Sequence, residues 1–406
     1  MELLNRKKTG KVERPVKVLQ FGEGNFLRAF VDYMIDIANE QGKFNGDIVL
    51  VKPIEFGSLD RFHDQECQYT VQLRGIVDGE PKRINRIVTS VADAVDAYGE
   101  YQKYADYAKL DSLRYIVSNT TEAGIVYDDT DRLEMEPPKS YPGKLTKFLY
   151  ERYKHFNGAM DKGLVMLPVE LIDDNGIHLK ECVEKLAVLW NLEDGFKTWL
   201  DEACVFTSTL VDRIVTGYPR DEAEELCKEF GYQDNLIVTG EPFALWVIES
   251  AKDISKEFPL PDAGLPVIFT DNQKPYKQRK VRILNGAHTS FVLASYLCGN
   301  DIVLESMQDE LIFNFMKATI FDEVIPTLTL PKQDLIDFAE AVITRFNNPY
   351  VKHALLSISL NSVSKWRARC MPSFLEYIKN EGKLPTHLTF SCLLYTSPSP
   401  RDRQKS

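Results

Sequence analysis

The chain has 406 residues, of which 44% are hydrophobic and 27% are charged, a composition typical of a folded globular protein. Its length favours two domains, because a single hydrophobic core rarely grows beyond ~250–300 residues. The formal net charge of −11 argues against non-specific nucleic-acid binding, which needs an excess of basic side chains.

The sequence carries no recognisable export or membrane signal. Met1–Lys11 is polar, and no apolar run approaches the ~18 residues needed to span a bilayer. The seven cysteines are scattered and form no C-x-x-C pair, so neither a structural zinc site nor a disulfide framework is expected. We expect a cytoplasmic protein without a metal and without a nucleic-acid or membrane partner. The oligomeric state stays open.

The first predicted unit is a strand, a glycine-containing turn and an amphipathic helix. Val16–Phe21 alternates as a strand and runs directly into Gly22 and Gly24. In a dinucleotide-binding fold, such a turn lets backbone N–H groups meet a pyrophosphate at the helix N-terminus. Leu27 stands where the third glycine of G-x-G-x-x-G would be. An ordinary turn between a strand and a helix is therefore an equal alternative.

The second strand leaves the choice of cofactor open. Asp47–Val51 predicts a buried strand, whose end should carry an acidic residue if the ribose of NAD is held in the usual way. Lys52 and Pro53 follow instead, and Glu55 is the nearest carboxylate. Glu55 favours NAD, whereas Lys52 could favour the 2′-phosphate of NADP.

Tyr115–Thr120 predicts another buried strand, and Thr121 and Glu122 follow it. Ligands bind at the carboxyl ends of parallel strands, so these two residues are candidates for cofactor binding near the nicotinamide. A helix N-cap formed by Thr120 or Thr121 with Glu122 explains the same residues equally well.

The remaining elements complete a two-domain pattern. Residues 69–77 and 83–91 predict a hairpin inserted in the nucleotide-binding domain, and residues 164–176 and 204–214 each supply a further strand. The stretch 252–276 is rich in proline and charge and predicts a connection between domains. Beyond it the pattern is helical. The predicted helices are 281–297, 307–318, 333–346 and 350–358.

These elements predict an α/β fold, with a Rossmann-type dinucleotide-binding domain at 1–250, a connection at 251–276 and a mainly α-helical substrate domain at 277–391. Residues 392–406 break the helical pattern with serines and prolines followed by charges, and they resemble a translated sequencing adapter. We expect this tail to be non-native and the helical domain to be incomplete. A genuine disordered tail is the alternative.

A polar motif opens the helical half of the chain. If residues 280–288 are helical, His288 lies ~80° and Asn285 ~140° around the axis from Lys280, so the three share one side. Lys280 and His288 are then ~12 Å apart along the axis, and they converge only if the lysine reaches or the first turn is irregular. Gly286 costs roughly 1 kcal/mol inside a helix, which suggests that a ligand or another backbone approaches it. A solvated polar stripe is the simpler reading.

The motif resembles the active-site signature of the mannitol dehydrogenase family, Lys-x-x-x-x-Asn-x-x-His, and residues 22–29 resemble the family's Gly-x-Gly-x-Phe-x-Arg-Ala turn. The resemblance extends over about residues 14–390. It implies that Lys280 is the general acid/base, that Asn285 polarises the reacting oxygen and that His288 binds substrate hydroxyls.

The resemblance also implies roles elsewhere. Asn175 is a candidate for the oxyanion site, and Asp212 is a candidate substrate ligand, with a structural ion pair to Arg213 as the alternative. The candidate cofactor-binding residues are Phe21, Gly22, Gly24, Asn25, Phe26, Glu55, Thr121 and Glu122, of which the last three are chosen for their positions after predicted strands.

A third cluster distinguishes classes of substrate within the family. Polyol-specific members carry an Arg where this chain has Ser357, eight residues before Lys365. The Ser-Leu-Asn-Ser-Val-Ser-Lys run that ends at Lys365 instead resembles members that act on uronate-derived sugar acids. Lys365 and His353 are therefore substrate-binding candidates, with Lys365 assigned to the carboxylate. A solvated basic face that includes Arg367 and Arg369 is the alternative.

The resemblance thus implies an NAD(H)-dependent oxidoreductase that interconverts a keto sugar acid and its hydroxy acid. Two rival hypotheses remain: a neighbouring specificity for another uronate-derived ketose or a neutral polyol, and a non-catalytic nucleotide-binding protein or inactive fragment.

Overall fold

The computed structural model describes residues 1–121 and 123–396. Glu122, a predicted cofactor-binding residue, and the part of the predicted tail from residue 397 onward lie outside the described residues. The chain forms two compact units, one made of residues 1–73 and 84–273 and the other of residues 74–83 together with the chain from Lys274 onward. Within the described ranges, no helix has the length and apolar character required to cross a membrane.

The strands of the described chain follow in order along the sequence. They are β1 (Val16–Phe21), β2 (Asp47–Lys52), β3 (Tyr69–Val77), β4 (Glu80–Val88), β5 (Val91–Asp96), β6 (Tyr115–Ser118), β7 (Val165–Pro168), β8 (Val205–Phe206), β9 (Ser208–Asp212), β10 (Val215–Gly217), β11 (Val238–Gly240), β12 (Leu245–Glu249) and β13 (Val267–Thr270).

The first unit is built on a six-stranded parallel sheet in the order β5-β2-β1-β6-β7-β8. Val18 and Leu50 pack into one hydrophobic cluster, and Leu19 and Val49 pack into the cluster on the other face. Burial on both faces explains why β2 is a nearly continuous apolar run. The strand order reverses between β1 and β6, which is the place where doubly wound sheets bind ligands. The predicted Rossmann-type fold is confirmed.

A hairpin interrupts this unit as predicted, but with a different second strand. Asp78 and Gly79 have φ angles of 54° and 79°, as a tight type I′ turn requires, so β4 starts directly at Glu80. Val91, predicted as the end of the hairpin, instead begins β5, which pairs with β2. The prediction missed β5 because strand-forming residues continue across the gap between β4 and β5.

The hairpin tip, residues 74–83, belongs to the second unit. Asn348 donates a hydrogen bond of 3.0 Å from Nδ2 to the carbonyl oxygen of Arg74. The Arg83 guanidinium lies over the Tyr350 ring at 5.6 Å. The second unit is therefore assembled from two separate stretches of chain.

Two predicted segments of the first unit have more structure than expected. The stretch 204–214 divides between β8 of the six-stranded sheet and β9 of a three-stranded sheet in the order β13-β12-β9. The stretch predicted as a connection contains β13, which pairs parallel with β12, and the fully buried Phe258. Its proline and charge content hid a strand that only long-range pairing reveals.

Helices cover both faces of the six-stranded sheet and form most of the second unit. The α-helices are α1 (Arg6–Thr9), α2 (Asn25–Leu27), α3 (Tyr33–Glu40), α4 (Asp60–Asp64), α5 (Tyr101–Asp106), α6 (Tyr141–His155), α7 (Asn175–Leu189), α8 (Asp194–Glu202), α9 (Ala223–Phe230), α10 (Lys274–Arg279), α11 (Gly286–Leu297), α12 (Val303–Gln308), α13 (Glu310–Ala318), α14 (Lys332–Phe346), α15 (Leu355–Ser359), α16 (Ser362–Arg369), α17 (Met371–Glu381) and α18 (Thr386–Thr396).

The boundaries of two helices differ from the prediction. The helix expected at 350–358 begins only at Leu355, where α15 starts. The break expected at Cys392 does not occur there, because α18 runs through Thr396. Tyr395 in this last turn donates a hydrogen bond from its hydroxyl to the carbonyl oxygen of Thr289, which anchors the helix end within the second unit.

Candidate functional site

The turn after β1 presents bare backbone. Gly22 has a φ of 120°, a conformation that side-chain-bearing residues rarely adopt. A Cβ there would also lie 3.2 Å from both the Asn119 carbonyl oxygen and a Leu27 methyl group. At Gly24, no atom lies within 4 Å of the Cβ position. Because α2 begins at Asn25, the turn exposes N–H groups at a helix start, which suits a pyrophosphate.

Arg28, which the sequence reasoning did not single out, fixes this turn. Its guanidinium is buried and donates from Nε to the Glu23 carbonyl oxygen at 3.1 Å and from Nη2 to Asn25 Oδ1 at 2.7 Å. Nη1 donates to the Leu236 carbonyl oxygen at 2.5 Å. The Arg of the Gly-x-Gly-x-Phe-x-Arg run was the sequence signal for this role. To use that signal, the sequence analysis would have needed a reason to expect a buried cation at this position.

A cavity of about 410 Å³ opens beside the turn. Its place at the carboxyl ends of β1 and β6 is the expected ligand site of a doubly wound sheet. With the open glycine turn, this cavity fits a dinucleotide. The residues that line it are Gly22, Glu23, Gly24, Pro53, Ile54, Asn119, Thr120, Thr121, Ala123, Gly124, Val126, Asp128, Lys139, Ser140 and Tyr141.

The other predicted cofactor residues have different environments. Phe21 is fully buried, and its ring packs against Tyr104 and Tyr141 at centroid distances of 5.9 and 5.0 Å, so its side chain belongs to the core. Asn25 is exposed at the start of α2, and Phe26 stacks on Phe30 at 5.0 Å.

Glu55 and Lys52 stand in opposite environments at the end of β2. Glu55 is exposed in the loop that follows Pro53 and Ile54 of the cavity wall. Lys52 is buried with 1% of its surface exposed, and its Nζ lies 3.0 Å from Asp96 Oδ2. The suggestion that Lys52 receives a 2′-phosphate therefore conflicts with the structure, because this ammonium is already enclosed by protein oxygens.

Glu170 supports the wall of the cavity and was not identified from the sequence. Its carboxylate accepts hydrogen bonds from the Thr120 backbone N–H at 3.0 Å, from Thr120 Oγ1 at 2.9 Å and from Ser118 Oγ at 3.1 Å. Burial raises the pKa of Glu170, and these hydrogen bonds oppose the rise. The loop after β6 is thus held by a buried carboxylate from the end of β7.

Asn175 is fully buried at the start of α7. Its Nδ2 lies 3.1, 3.0 and 3.1 Å from the carbonyl oxygens of Pro168, Glu170 and Thr209, and its Oδ1 accepts from the Thr209 N–H at 2.9 Å. These bonds tie β7 to β9 and occupy both ends of the amide. The structure thus gives Asn175 a structural role and offers no support for the oxyanion assignment.

Asp212 is buried at the end of β9, opposite Leu245 of β12. The neighbouring Arg213 donates to three carbonyl oxygens. The guanidinium of Arg213 therefore mainly binds backbone carbonyl oxygens.

The predicted catalytic motif lies on one continuous helix of the second unit. The helix runs from Lys274 to Leu297, and residues Lys280–Asn285 form a π-helical turn between α10 and α11. A π turn is wider than an α turn and often marks a functional site. Lys280 and Asn285 are half-buried, and His288 is buried. The irregular first turn is thus one of the two conditions under which the sequence reasoning allowed these side chains to converge.

His288 is enclosed by aromatic rings. Its ring centroid lies 4.2 Å from that of Phe346 and 5.2 Å from that of His353. Burial, together with the charges of His353, Arg345 and Arg369, holds the pKa of His288 well below 6.5. The ring is therefore neutral at pH 7, and its buried Nε2 has no hydrogen-bond partner within the described parts of the chain.

Two further cations lie beside this histidine pair. Lys365 donates from Nζ to the Ile358 carbonyl oxygen at 2.7 Å, and Arg369 donates from Nη1 to Thr289 Oγ1 at 3.3 Å. Burial, and then the charge of Lys365, lowers the pKa of His353, and burial, and then the charge of Arg369, lowers the pKa of Lys365. These shifts describe a small region of positive potential, which an anion would relieve. Ser357 is exposed.

Gly286 sits where another backbone comes close, as the sequence suggested. A Cβ there would lie 3.4 Å from the Arg369 carbonyl oxygen, and Cys370 contacts the Gly286 carbonyl oxygen with its sulfur at 3.5 Å. The end of α16 is thus packed on the helix that carries Gly286, at ordinary contact distance. A methyl group would just fit, so close approach explains the glycine only in part.

Comparison with known proteins places both units. Residues 16–261 match the model of the mannitol dehydrogenase Rossmann domain, and residues 272–403 match that of the mannitol dehydrogenase C-terminal domain. The altronate oxidoreductase of Yersinia enterocolitica is 46% identical over 392 residues, which are 96% of this chain and 81% of the relative. That of Bacteroides thetaiotaomicron is 45% identical over 388 residues, again 96% and 81%.

Two solved structures are similar in fold. A D-sorbitol dehydrogenase in substrate-free form has a TM-score of 0.82 at 21% identity, with 97% of this chain and 84% of that chain covered. The mannitol 2-dehydrogenase of Pseudomonas fluorescens, in a ternary complex with NAD and D-mannitol, has a TM-score of 0.72 at 22% identity, with 97% and 83% covered.

Proposed function

This chain belongs to the mannitol dehydrogenase family, and we propose that it is an NAD-dependent oxidoreductase that interconverts D-tagaturonate and D-altronate. The relatives named altronate oxidoreductase support the reaction, at 46% and 45% identity over 96% of the chain. The observation that carries the choice of an acidic substrate is the pair of cations, Lys365 and Arg369, beside the neutral His288.

The first unit would hold the cofactor. Gly22 and Gly24 leave room for the pyrophosphate, and the loop after β6 with Thr121 would adjoin the nicotinamide. When bound, NADH supplies the hydride that reduces the keto group. Glu55, rather than Lys52, would face the ribose, because Lys52 is enclosed by protein oxygens.

The helix with the π turn would supply the remaining chemistry. Lys280 donates a proton to the substrate oxygen as the keto group is reduced, and it takes the proton back in the reverse direction. Asn285 donates a hydrogen bond to the same oxygen and stabilises the charge that develops on it. Both side chains are half-buried, so a substrate can reach them.

The histidine pair and the cations would orient the sugar acid. A neutral His288 offers one ring nitrogen as a hydrogen-bond donor or acceptor to a hydroxyl group, and its Nε2 is buried without a partner in the described chain. His353 adjoins it at 5.2 Å between ring centroids. A carboxylate must exchange its hydration for a cation or several donors, and Lys365 and Arg369 provide two cations.

A screen of NADH oxidation tests this function. We expect turnover with D-tagaturonate, slower turnover with D-fructuronate and little with neutral ketoses such as D-fructose. A preference for neutral ketoses would replace the sugar-acid assignment with a polyol specificity. NADH binding without turnover of any ketose would instead indicate a nucleotide-binding protein that is not a catalyst.

A further inference from the structure

The Lys52 ammonium binds backbone carbonyl oxygens of the loop that follows β2. From its Nζ, the distances are 2.9 Å to the Ile54 carbonyl oxygen, 3.3 Å to that of Glu55 and 3.4 Å to that of Phe56. Asp96 Oδ2 lies 3.0 Å from the same atom. An ammonium has three N–H donors, so these four oxygens occupy it fully. One buried cation thus fixes three consecutive peptide groups.

Asp96 connects this arrangement to the next strand. It ends β5, which pairs with β2, and its Oδ1 accepts the Tyr98 N–H at 2.9 Å. Although burial alone would raise the pKa of Asp96, the Tyr98 N–H and the Lys52 ammonium hold it below its usual value. The carboxylate is therefore charged at neutral pH and balances Lys52, so the pair anchors the loop to the sheet.

The loop held in this way borders the cavity with apolar side chains. Pro53 and Ile54 line the cavity. Ile54 is 55% exposed and Phe56 79% exposed, so neither contributes to the core as it stands. Apolar surface at the end of the second strand lies where a doubly wound fold receives the adenosine half of a dinucleotide, and a purine gains from such contact.

We propose that Lys52 is a positioning residue that holds residues 53–56 in the form that binds the adenosine half of the dinucleotide. This inference rests on the proposed NAD cofactor and adds a residue to its recognition. Lys52 itself contacts no part of the cofactor. It acts by binding the carbonyl oxygens of residues 54–56. This keeps the loop in the conformation in which the Ile54 side chain lines the cavity.

The chain offers a matched control at the opposite end of the same strand. Lys11 Nζ lies 2.7 Å from Asp47 Oδ2 and 2.9 Å from the Thr89 carbonyl oxygen, and its side chain is only 1% exposed. Lys11→Met and Lys52→Met each remove a buried ammonium that bridges a carboxylate and backbone. Both should lower the melting temperature, but only Lys52→Met should affect the cofactor.

The experiment measures two dissociation constants and one turnover rate on the full chain. Titrations give the dissociation constants of NADH, from its fluorescence, and of ADP-ribose, from calorimetry. Turnover of tagaturonate is then measured with reduced nicotinamide mononucleotide, which lacks the adenosine half. In Lys52→Met we expect at least ~10-fold weaker binding of NADH and ADP-ribose, which corresponds to ~1.4 kcal/mol, with the mononucleotide rate unchanged. Lys11→Met should keep both dissociation constants, and Lys52→Arg should restore part of the affinity.

Other outcomes overturn the proposal. Equal dissociation constants in Lys52→Met and Lys11→Met would make Lys52 purely structural, and an equal loss with the mononucleotide would place its effect at the phosphate turn. If Lys52→Met does not fold, Ile54→Ala serves instead. It should weaken ADP-ribose binding without lowering the melting temperature, and unchanged binding would refute the proposal. Failure of the wild-type chain to bind NADH would refute the proposed cofactor itself.

Discussion

The phenol of Tyr69 donates a 2.6 Å hydrogen bond to the carboxyl group of Asp32, and both side chains are fully buried. Burial raises the pKa of Asp32 to about 7, although hydrogen bonds from Tyr69 and Gln20 and the charge of Arg28 oppose the rise. The folded protein thus retains a proton near neutral pH that the unfolded chain releases near 3.8.

This proton makes stability depend on pH. The contribution of Asp32 is fully present below its unfolded pKa of 3.8 and is lost as pH rises towards the folded value of about 7. Asp32→Asn carries no titrating group, so its free energy of unfolding relative to the wild type should rise from pH 5 to pH 8, by up to ~3 kcal/mol. Urea unfolding at both pH values measures this, and a difference that is constant with pH would contradict it.

Removal of the amine at Lys280 should abolish most of the turnover. Lys280→Ala should lower kcat by ~10²–10⁴-fold, because general acid/base catalysis contributes about that factor, and the dissociation constant of NADH should not change. Steady-state kinetics and NADH titration check the two quantities separately. Lys274→Ala, at the exposed start of the same helix, is the control. Partial recovery of Lys280→Ala with added primary amines would support the assignment, whereas a variant with most of its turnover would exclude Lys280 as the acid/base.

The enclosure of Lys52 predicts a preference for NADH over NADPH. Glu55 is exposed in the loop that borders the cavity, so a 2′-phosphate would meet its negative charge. Glu55→Gln should reduce this preference. Measurement of kcat/KM for NADH and for NADPH, in the wild type and the variant, tests the prediction. A wild-type enzyme that prefers NADPH would show that another cation receives the phosphate.

Lys365 should discriminate a sugar acid from a neutral sugar. Loss of a charged hydrogen bond to the substrate costs ~1.5–3 kcal/mol, or roughly 10- to 150-fold in specificity. Lys365→Met should therefore lower kcat/KM for the keto acid by about that factor while the neutral ketose rate is nearly unchanged. Arg367→Met, an exposed cation on the same helix, is the matched control. Equal losses for both substrates would indicate that Lys365 has a structural role. Its hydrogen bond to the Ile358 carbonyl oxygen would then account for that role.

The parts of the fold that follow from local pattern were predictable. The apolar alternation of β1 and the turn at Gly22 were found from the sequence because strand and turn are written in adjacent residues. β13 was missed because its partner β12 pairs with it across a stretch rich in proline and charge. A local pattern does not specify which distant segment completes a sheet.

The candidate site shows the same division. The spacing of Lys280, Asn285 and His288 identified the helix, but the π turn that alters their arrangement has no simple sequence signal. The role of Lys52 could not be read from the sequence, because Asp96 lies on another strand and the other three partners are backbone carbonyls. A charged side chain in a sequence does not reveal whether protein oxygens or a ligand will surround it.

The hairpin tip has a consequence for the order in which the protein is made. Residues 74–83 belong to a unit whose other residues begin at Lys274, so 190 residues (84–273) are synthesised between the two parts. At ~5–20 residues per second, the ribosome needs roughly 10–40 s to cover that distance. The tip therefore leaves the ribosome long before Asn348, which binds the Arg74 carbonyl, exists. The second unit can therefore assemble only late in translation. A nascent chain stalled near residue 273 would expose the hairpin tip to chaperones without its partner residues.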